Sequence, residues 1–543
     1  MNKKSIFTLS LLFPLLLGCK GKESSSSESN YVVDSTTEVV LEKDKSIDYV
    51  IDESVSNENG SMSYEIFVRS YYDSDNDGIG DLNGVTLKLP YLKSMGIKTL
   101  WLMPIMPSPT YHGYDVKDYY SIHPDYGTID DYKNLVKEAE KLNIDIMIDM
   151  VLNHCSNKHP YFQESYEDYI YGNTDEDSKA DWFNWGTGGG NYNGLQYEAN
   201  FDTTMPDFNL ESQGVRKEID NIFKFWIQEC GTKGFRLDAV LYYYKNTTNK
   251  NVWFMNYLME TARQYDENFY MVGECWQSDA ILNSYAGSKL NSFFRFGQAS
   301  GGDLSFINLV KGYGNSSNYS ETIERNEKSC KQKNPNYYSS YFLSNHDQDR
   351  IAKNFVDITN KAAASLLCLM PGTPFMYYGE EILLKGKRKT SPEDYSDVRR
   401  RLPMIWSKND KTGECKFPES NRQDLNRGNE QVEDGVEDKL NENFSLLKHY
   451  QKVINIRNKY PFLKNGKYDD MVSELKTSEK SVLAYKIYLN EEYIIVVHNF
   501  SSYAVEVTSP GNEIVDEINT SHLKPKLENN KLSLGAYSTV VMK

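Results

Sequence analysis

From about residue 62 the chain alternates short apolar runs with longer amphipathic stretches. Tyr64–Val68, Lys98–Leu102, Ile144–Leu152, Gly234–Asp238, Phe269–Glu274, Ser292–Phe296, Tyr341–Ser344 and Pro374–Tyr378 read as strands. Helical patterns fall near Leu87–Met95, Ile129–Leu142, Trp253–Gln264 and Lys361–Met370. Eight strands with intervening helices predict an α/β fold, a closed (β/α)8 TIM barrel. In such barrels the chemistry sits at strand C-termini, and polar residues collect at those ends here.

Two stretches interrupt the alternation. Cys155 to Thr232 is rich in Gly, Asn, Tyr and Trp. It far exceeds a normal connection and predicts an inserted subdomain at the catalytic face. Lys408 to Asn443 is polar and charged and reads as a long surface loop. After a helix near Phe444–Lys459, strand alternation returns at 481–488, 492–498, 504–508 and 538–542, which predicts a small antiparallel β-domain. The expected division is a barrel over 61–154 and 213–460, an insertion over 155–212 and a C-terminal β-domain over 461–543.

The N-terminus reads as an address rather than as fold. Lys3 and Lys4 precede the apolar run Ile6–Leu17, which is too short to be a convincing membrane span. Leu16-Leu17-Gly18-Cys19 resembles the bacterial lipoprotein box, so residues 1–19 are expected to be a signal peptide with Cys19 lipidated. Residues 20–60 are rich in Ser, Glu and Asp and should form a flexible tether. The expected location is the bacterial cell envelope, on the periplasmic or cell-surface side, with the lipid anchor in the membrane.

The net charge of −17 argues against a nucleic-acid partner, whose phosphates would be repelled. The 41 tyrosines suit sugar rings, but also ordinary cores and surfaces. Beyond Cys19, six cysteines lack the spacing of a zinc site, and Cys230, Cys275 and Cys368 lie in apolar contexts that read as core. A monomer is the expected state.

Candidate chemistry lies at the ends of the apolar runs. Gly234–Val240 stops at Arg236 and Asp238, which point to the same side of a strand. A guanidinium beside a buried carboxylate keeps it ionised, as a nucleophile requires; a structural ion pair is the other reading. Val272-Gly273-Glu274-Cys275-Trp276 ends in one carboxylate beside an apolar ring, a setting that raises a carboxyl pKa toward that of a general acid. Asp149–His154 and Phe342–Asp347 also end in polar groups. Any one could be a satisfied strand end; four at one barrel mouth point to a site. Separately, Asp73-Ser74-Asp75-Asn76-Asp77-Gly78-Ile79-Gly80-Asp81 places carboxylates at positions one, three, five and nine and glycine at six, like the first part of a calcium loop. Gly84 at position twelve excludes an EF-hand. A solvated acidic turn is the alternative, but clustered carboxylates repel unless neutralised.

In this order the four strand-end segments resemble the signature regions of the α-amylase family of glycoside hydrolases, family 13. Met205-Pro206-Asp207-Phe208-Asn209 is similar to a fifth region, in the form typical of the subgroup between oligo-1,6-glucosidases and neopullulanases. The resemblance implies Asp238 as nucleophile, Glu274 as general acid/base and Asp347 as the carboxylate that steadies the transition state. It also implies that Arg236 holds Asp238, that His154 and His346 bind the sugar in subsite −1, and that Tyr114 stacks on it. Calcium would be held by Asp73, Asp75, Asp77, the Ile79 carbonyl and Asp81.

Tyr111 stands where exo-acting α-glucosidases of the family carry Asp, and Ala239 where α-1,6-cleaving relatives usually have Val. The first argues against strict recognition of a terminal glucose and the second favours α-1,4 bonds; with the retaining mechanism that the resemblance implies, the expected activity is endo-type hydrolysis of α-1,4 bonds in starch, glycogen-like glucans or maltodextrins. Leu241 and Tyr242 replace the Lys-His pair of many α-amylases and leave the product pattern open. The alternatives are an exo-acting α-glucosidase, a 4-α-glucanotransferase or, more distantly, a non-catalytic glucan-binding lipoprotein.

Overall fold

A computed structural model describes residues 57–58, 60–245, 247–299, 305–353, 356–388, 397–418 and 432–543. The expected leader, Cys19 and nearly all of the tether lie outside the described residues. In chain order the larger part of the molecule holds β1 (Ser63–Ile66), β2 (Thr99–Leu102), β3 (Asp145–Met150), β4 (Trp185–Tyr192), β5 (Leu195–Tyr197), β6 (Gly234–Leu237), β7 (Tyr270–Gly273), β8 (Ser292–Phe293) and β9 (Phe375–Tyr377). All but β4 and β5 form one parallel sheet, in the order β8-β7-β6-β3-β2-β1-β9.

The two edges of that sheet meet through residues 340–342. Phe294 pairs with Ser340, and Phe342 with Phe375, as isolated parallel bridges. Ser340 N donates to Phe293 O at 3.1 Å and Phe375 N to Tyr341 O at 2.7 Å, so the cylinder closes. The strand expected at Tyr341–Ser344 is therefore two bridges, because the backbone leaves the ladder after Phe342 to enter the site.

The lumen is filled by Trp101, Met147, Val272, Phe294, Phe296, Phe342 and Phe375, a packed plug rather than a pore. Register then decides what caps it. Asp149 pairs with Arg236, and Arg236 with Val272, across neighbouring strands. Strand side chains alternate, so Asp149 stands two residues above Met147, and Glu274 two above Val272. Apolar layers thus give way to charge at one end. Among the helices around the barrel, Ile129–Lys141 starts from a Thr128/Asp131 capping box and buries one stripe, Tyr132, Leu135 and Ala139, whereas Asp357–Leu369 is buried all round from Ala362 onward.

The segment between β3 and β6 carries the helix Pro160–Tyr171 and the β4–β5 hairpin. Its small core is aromatic, with Phe162 within 5.1 Å of the rings of Phe183, Trp185 and Tyr197. Beyond the helix Leu446–Asn458, Lys467–Asp470, Val482–Leu489, Glu492–Asn499, Ile514–Ile518 and Thr539–Met542 form a five-stranded antiparallel sheet. Val505–Thr508, Lys526–Glu528 and Lys531–Leu534 form a second sheet over a shared apolar core. Four of these eight strands escape the sequence pattern. Lys526–Glu528, for example, offers one apolar side chain, too few to show alternation. In the stretch expected to be loop, Val436–Asn441 is helical, while residues 419–431 lie outside the described residues. The six cysteines from Cys155 to Cys415 are all buried free thiols.

Candidate active site

Arg236 organises the barrel mouth. Its side chain is 1% exposed, beneath Asp238 at 11% and Glu274 at 13%. One terminal nitrogen donates to Asp149 Oδ1 at 2.8 Å and to Asp238 Oδ1 at 2.6 Å. The other lies 3.1 Å from Glu274 Oε2. The guanidinium is sandwiched over Trp101 and Tyr114, at 5.4 and 5.5 Å from their ring centres. Immediately after Asp238 the chain turns through Ala239, whose φ of +51° is left-handed and costly for a residue with a Cβ. That turn aims Ala239 N at Glu274 Oε2, 2.9 Å away. Two carboxyl groups from neighbouring strands thereby flank one small space.

Three carboxyl groups share this single guanidinium. Burial pushes Asp238 and Glu274 up, and Arg236 opposes it. Burial also lifts Asp149, to about 7, against the same arginine. Like charges this close cannot all ionise cheaply, so the cluster retains a proton near neutral pH. Trp276, the apolar neighbour expected to raise Glu274, is instead 49% exposed and stacked on Phe296 at 4.8 Å. Desolvation of Glu274 comes from the barrel itself.

Asp347 completes the mouth from the other side. Its carboxylate lies 3.1 Å from His346 Nε2 and 3.1 Å from Arg401. Burial would raise it, but His346, Arg401 and Arg236 hold it well below the usual carboxylate range. Tyr114 stacks on His346 at 5.7 Å and donates its hydroxyl to Asp149 Oδ2 at 3.0 Å. His154 is buried at the end of β3 with Nε2 unpartnered, and burial pulls its pKa down to about 4. It is neutral at neutral pH, with a free ring nitrogen. Asp238, Glu274, Asp347, Arg236, His346 and Tyr114 are therefore brought together.

The mouth also contains three residues that the sequence reading did not single out as site residues: Asp149, Glu65 and Arg401. Glu65 was legible as a lone carboxylate inside an apolar strand, where burial demands a partner. Asp149 could have been found by its place two residues above Met147 on β3. Arg401 gave no signal, since it follows two other arginines in a polar stretch.

The acidic loop folds as a nest of turns. Asp73 accepts from Asn76 N and Gly78 N, both at 2.7 Å, and Asp81 from Ser74 N and Gly84 N at 2.8 and 2.7 Å. Carboxylate oxygens of Asp73, Asp75 and Asp81 lie within 4.8 Å of one another. Asp77 stands outside that group and accepts from Ile79 N at 2.6 Å. Burial raises both Asp73 and Asp81, and their carboxylate neighbours add to it. Converging oxygens, two of the three groups buried and none with an ion-pair partner among the described residues, fit a hard divalent cation.

A closed barrel with paired carboxyl groups around one arginine at its C-terminal mouth defines a glycoside hydrolase. Residues 65–466 match the alpha-amylase catalytic domain and residues 482–541 the alpha-amylase SusG C-terminal domain. The chain belongs to the α-amylase family of glycoside hydrolases, retaining enzymes that act on α-glucans. It is 37% identical to alpha-amylase 3 of Dictyoglomus thermophilum over 502 residues, covering 89% of this chain and 93% of that protein. It is 28% identical to an oligo-1,6-glucosidase of Parageobacillus thermoglucosidasius over 523 residues, with coverage of 81% and 90%. The solved structure of Eubacterium rectale Amy13B superposes with a TM-score of 0.80 at 34% identity, covering 90% of this chain and 96% of that one.

Proposed function

We propose that this enzyme is a calcium-binding, lipid-anchored α-amylase that cleaves internal α-1,4 bonds of starch-like glucans or maltodextrins. The observation that carries the reading is Arg236 bridging Asp238 and Glu274, with Ala239 N on the acid. Retention needs two carboxyl groups about 5–5.5 Å apart, one nucleophile and one acid. Glu274, protonated, gives its proton to the glycosidic oxygen as the Asp238 carboxylate attacks the anomeric carbon. The C–O bond to the leaving sugar breaks and a glycosyl ester forms on Asp238. Water then attacks that carbon, Glu274 takes its proton, and Asp238 leaves as carboxylate. Asp347, held ionised by His346 and Arg401, faces the cationic transition state. Tyr114 supplies the stacking face, and His154, a neutral buried ring packed against Phe201, is the proposed partner of a sugar hydroxyl.

The choice of endo over exo rests on Tyr111 and on the similarity to a relative named α-amylase. Digestion of a long maltooligosaccharide tests it. Mixed short products fit endo cleavage, glucose alone would mean exo action, and lengthened chains would mean transfer. Asp73, Asp75 and Asp81, with Asp77 and the Ile79 carbonyl, are the proposed calcium ligands, and the ion would neutralise the loop rather than take part in the reaction. Anchoring at Cys19 rests on the lipoprotein box, and palmitate labelling lost in Cys19→Ser is its test.

A further inference from the structure

Buried Glu65, on β1, makes a 2.5 Å contact from Oε1 to His346 Nδ1. The other ring nitrogen, Nε2, lies 3.1 Å from Asp347 Oδ2 and 2.7 Å from the Tyr114 hydroxyl. An ionised carboxylate only accepts. A hydrogen on Nδ1 would meet Glu65 and one on Nε2 would meet Asp347 and Tyr114, so carboxyl groups on both sides favour a ring that donates from both nitrogens, an imidazolium. The Tyr114 oxygen then accepts from Nε2 and its hydroxyl donates to Asp149, where this run of donors ends; Arg236 donates separately to Asp149 and to Asp238.

We infer that Glu65 is a positioning residue for the reaction: it keeps His346 doubly protonated and thereby fixes both the charge of Asp347 and the direction of the hydrogen-bond chain that runs through Tyr114 to Asp149. This rests on the roles given above to Asp238, Glu274 and Asp347, and Glu65 itself touches no reacting atom. The groups that face His346 are Glu65 from β1, Tyr114 after β2, Asp149 from β3, Asp238 after β6, and Asp347 beside it. Arg401 reaches the His346 carbonyl at 3.3 Å and Asp347 at 3.1 Å, and Arg236 acts on Asp347 from below. Against its own burial, Asp347 and Glu65 push His346 up to about 10. A neutral amide in place of Glu65 removes one of these two anions and leaves burial to pull the ring down.

Glu65→Gln keeps the shape and removes the charge. The alkaline limb of its kcat/KM profile should move at least one pH unit toward acid, with kcat at pH 8 falling tenfold or more while kcat at pH 5 stays within about threefold of wild type. An unchanged profile would overturn the inference. A second measurement needs no variant and no activity. In ¹⁵N-histidine spectra of the wild-type enzyme at pH 8, both His346 nitrogens should resonate as imidazolium, assigned by the signals lost in His346→Gln. A neutral ring there overturns the inference even if Glu65→Gln fails to fold. Glu274→Gln separates the two readings: near-normal activity in it would sink the catalytic assignment, and leave the His346 resonances untouched.

Discussion

Two clusters of carboxylates shape this enzyme, and they solve the problem of mutual repulsion in opposite ways. At the barrel mouth Asp149, Asp238, Glu274, Asp347 and Glu65 are interleaved with Arg236, His346 and Arg401, each within about a hydrogen bond of its partners. In the Asp73–Asp81 loop the carboxylates find backbone N–H groups, and among the described residues no cation pairs with them. Lys416 comes only to the Asp77 carbonyl, at 3.3 Å. A cluster that contains its own counter-charges holds its geometry and tunes its protons. A cluster that lacks them suits the calcium ion proposed for it.

The largest effect expected from breaking this contrast is on chemistry. Asp238→Asn or Glu274→Gln should lower starch hydrolysis by about 10³-fold or more, with the fold retained, as checked by initial rates and a melting curve. Near-normal rates in either would remove the catalytic assignment.

Arg236→Leu removes the guanidinium that Asp149, Asp238 and Glu274 share and leaves these three carboxyl groups without that ion-pair partner. A loss of about 3–5 kcal/mol in urea unfolding is expected. Without the arginine the folded-state carboxyl pKa values sit further above their unfolded values. Stability is then present at low pH and is lost as pH rises through the folded values, so the variant should lose more at pH 8 than at pH 5.

Calcium should matter for stability and not for the chemical step. At free calcium a hundredfold above its Kd, stabilisation of about 2.7 kcal/mol follows from mass action. Chelation should therefore lower the melting temperature by a few degrees, and Asp75→Ala should abolish that response. Burial raises Asp73 and Asp81, so once calcium is stripped the loop is better tolerated at acid pH and worse as pH rises. The chelator effect should grow between pH 5 and pH 7. Kcat measured well below the melting point should stay unchanged, and a collapse there would tie the loop to catalysis.

The smallest effect sharpens the contrast at the loop. Lys416→Met removes the ammonium that reaches the Asp77 carbonyl and should tighten calcium binding by about twofold to fivefold in calorimetry, the scale of an exposed charge interaction. Weaker binding would mean that Lys416 organises the loop.

Much of this contrast was legible before any coordinates. The barrel strands announce themselves because a parallel sheet covered on both faces yields uninterrupted apolar runs, and Arg236, Asp238 and Glu274 stand where those runs stop. Asp149 and Glu65 were harder, because a charged residue inside an apolar run shows no direction until register tells which face it takes. Arg401 comes from a turn far along the chain, where no periodicity points inward. The short C-terminal strands at Lys526–Glu528 and Lys531–Leu534 carry too little apolar pattern to be seen alone; they exist because a neighbouring ladder completes their hydrogen bonds.

The seam of the barrel has its own consequence. His346 and Asp347 hang from the stave that is held to its neighbours by isolated bridges at Ser340 and Phe342, whereas Asp238 and Glu274 extend strands laddered on both sides. On warming, amide exchange should rise first along 339–347, and the enzyme should lose the grip on its transition state while its nucleophile and acid still stand in register. Heat inactivation would then begin as a local unbuttoning, reversible on cooling, several degrees before the cylinder itself opens.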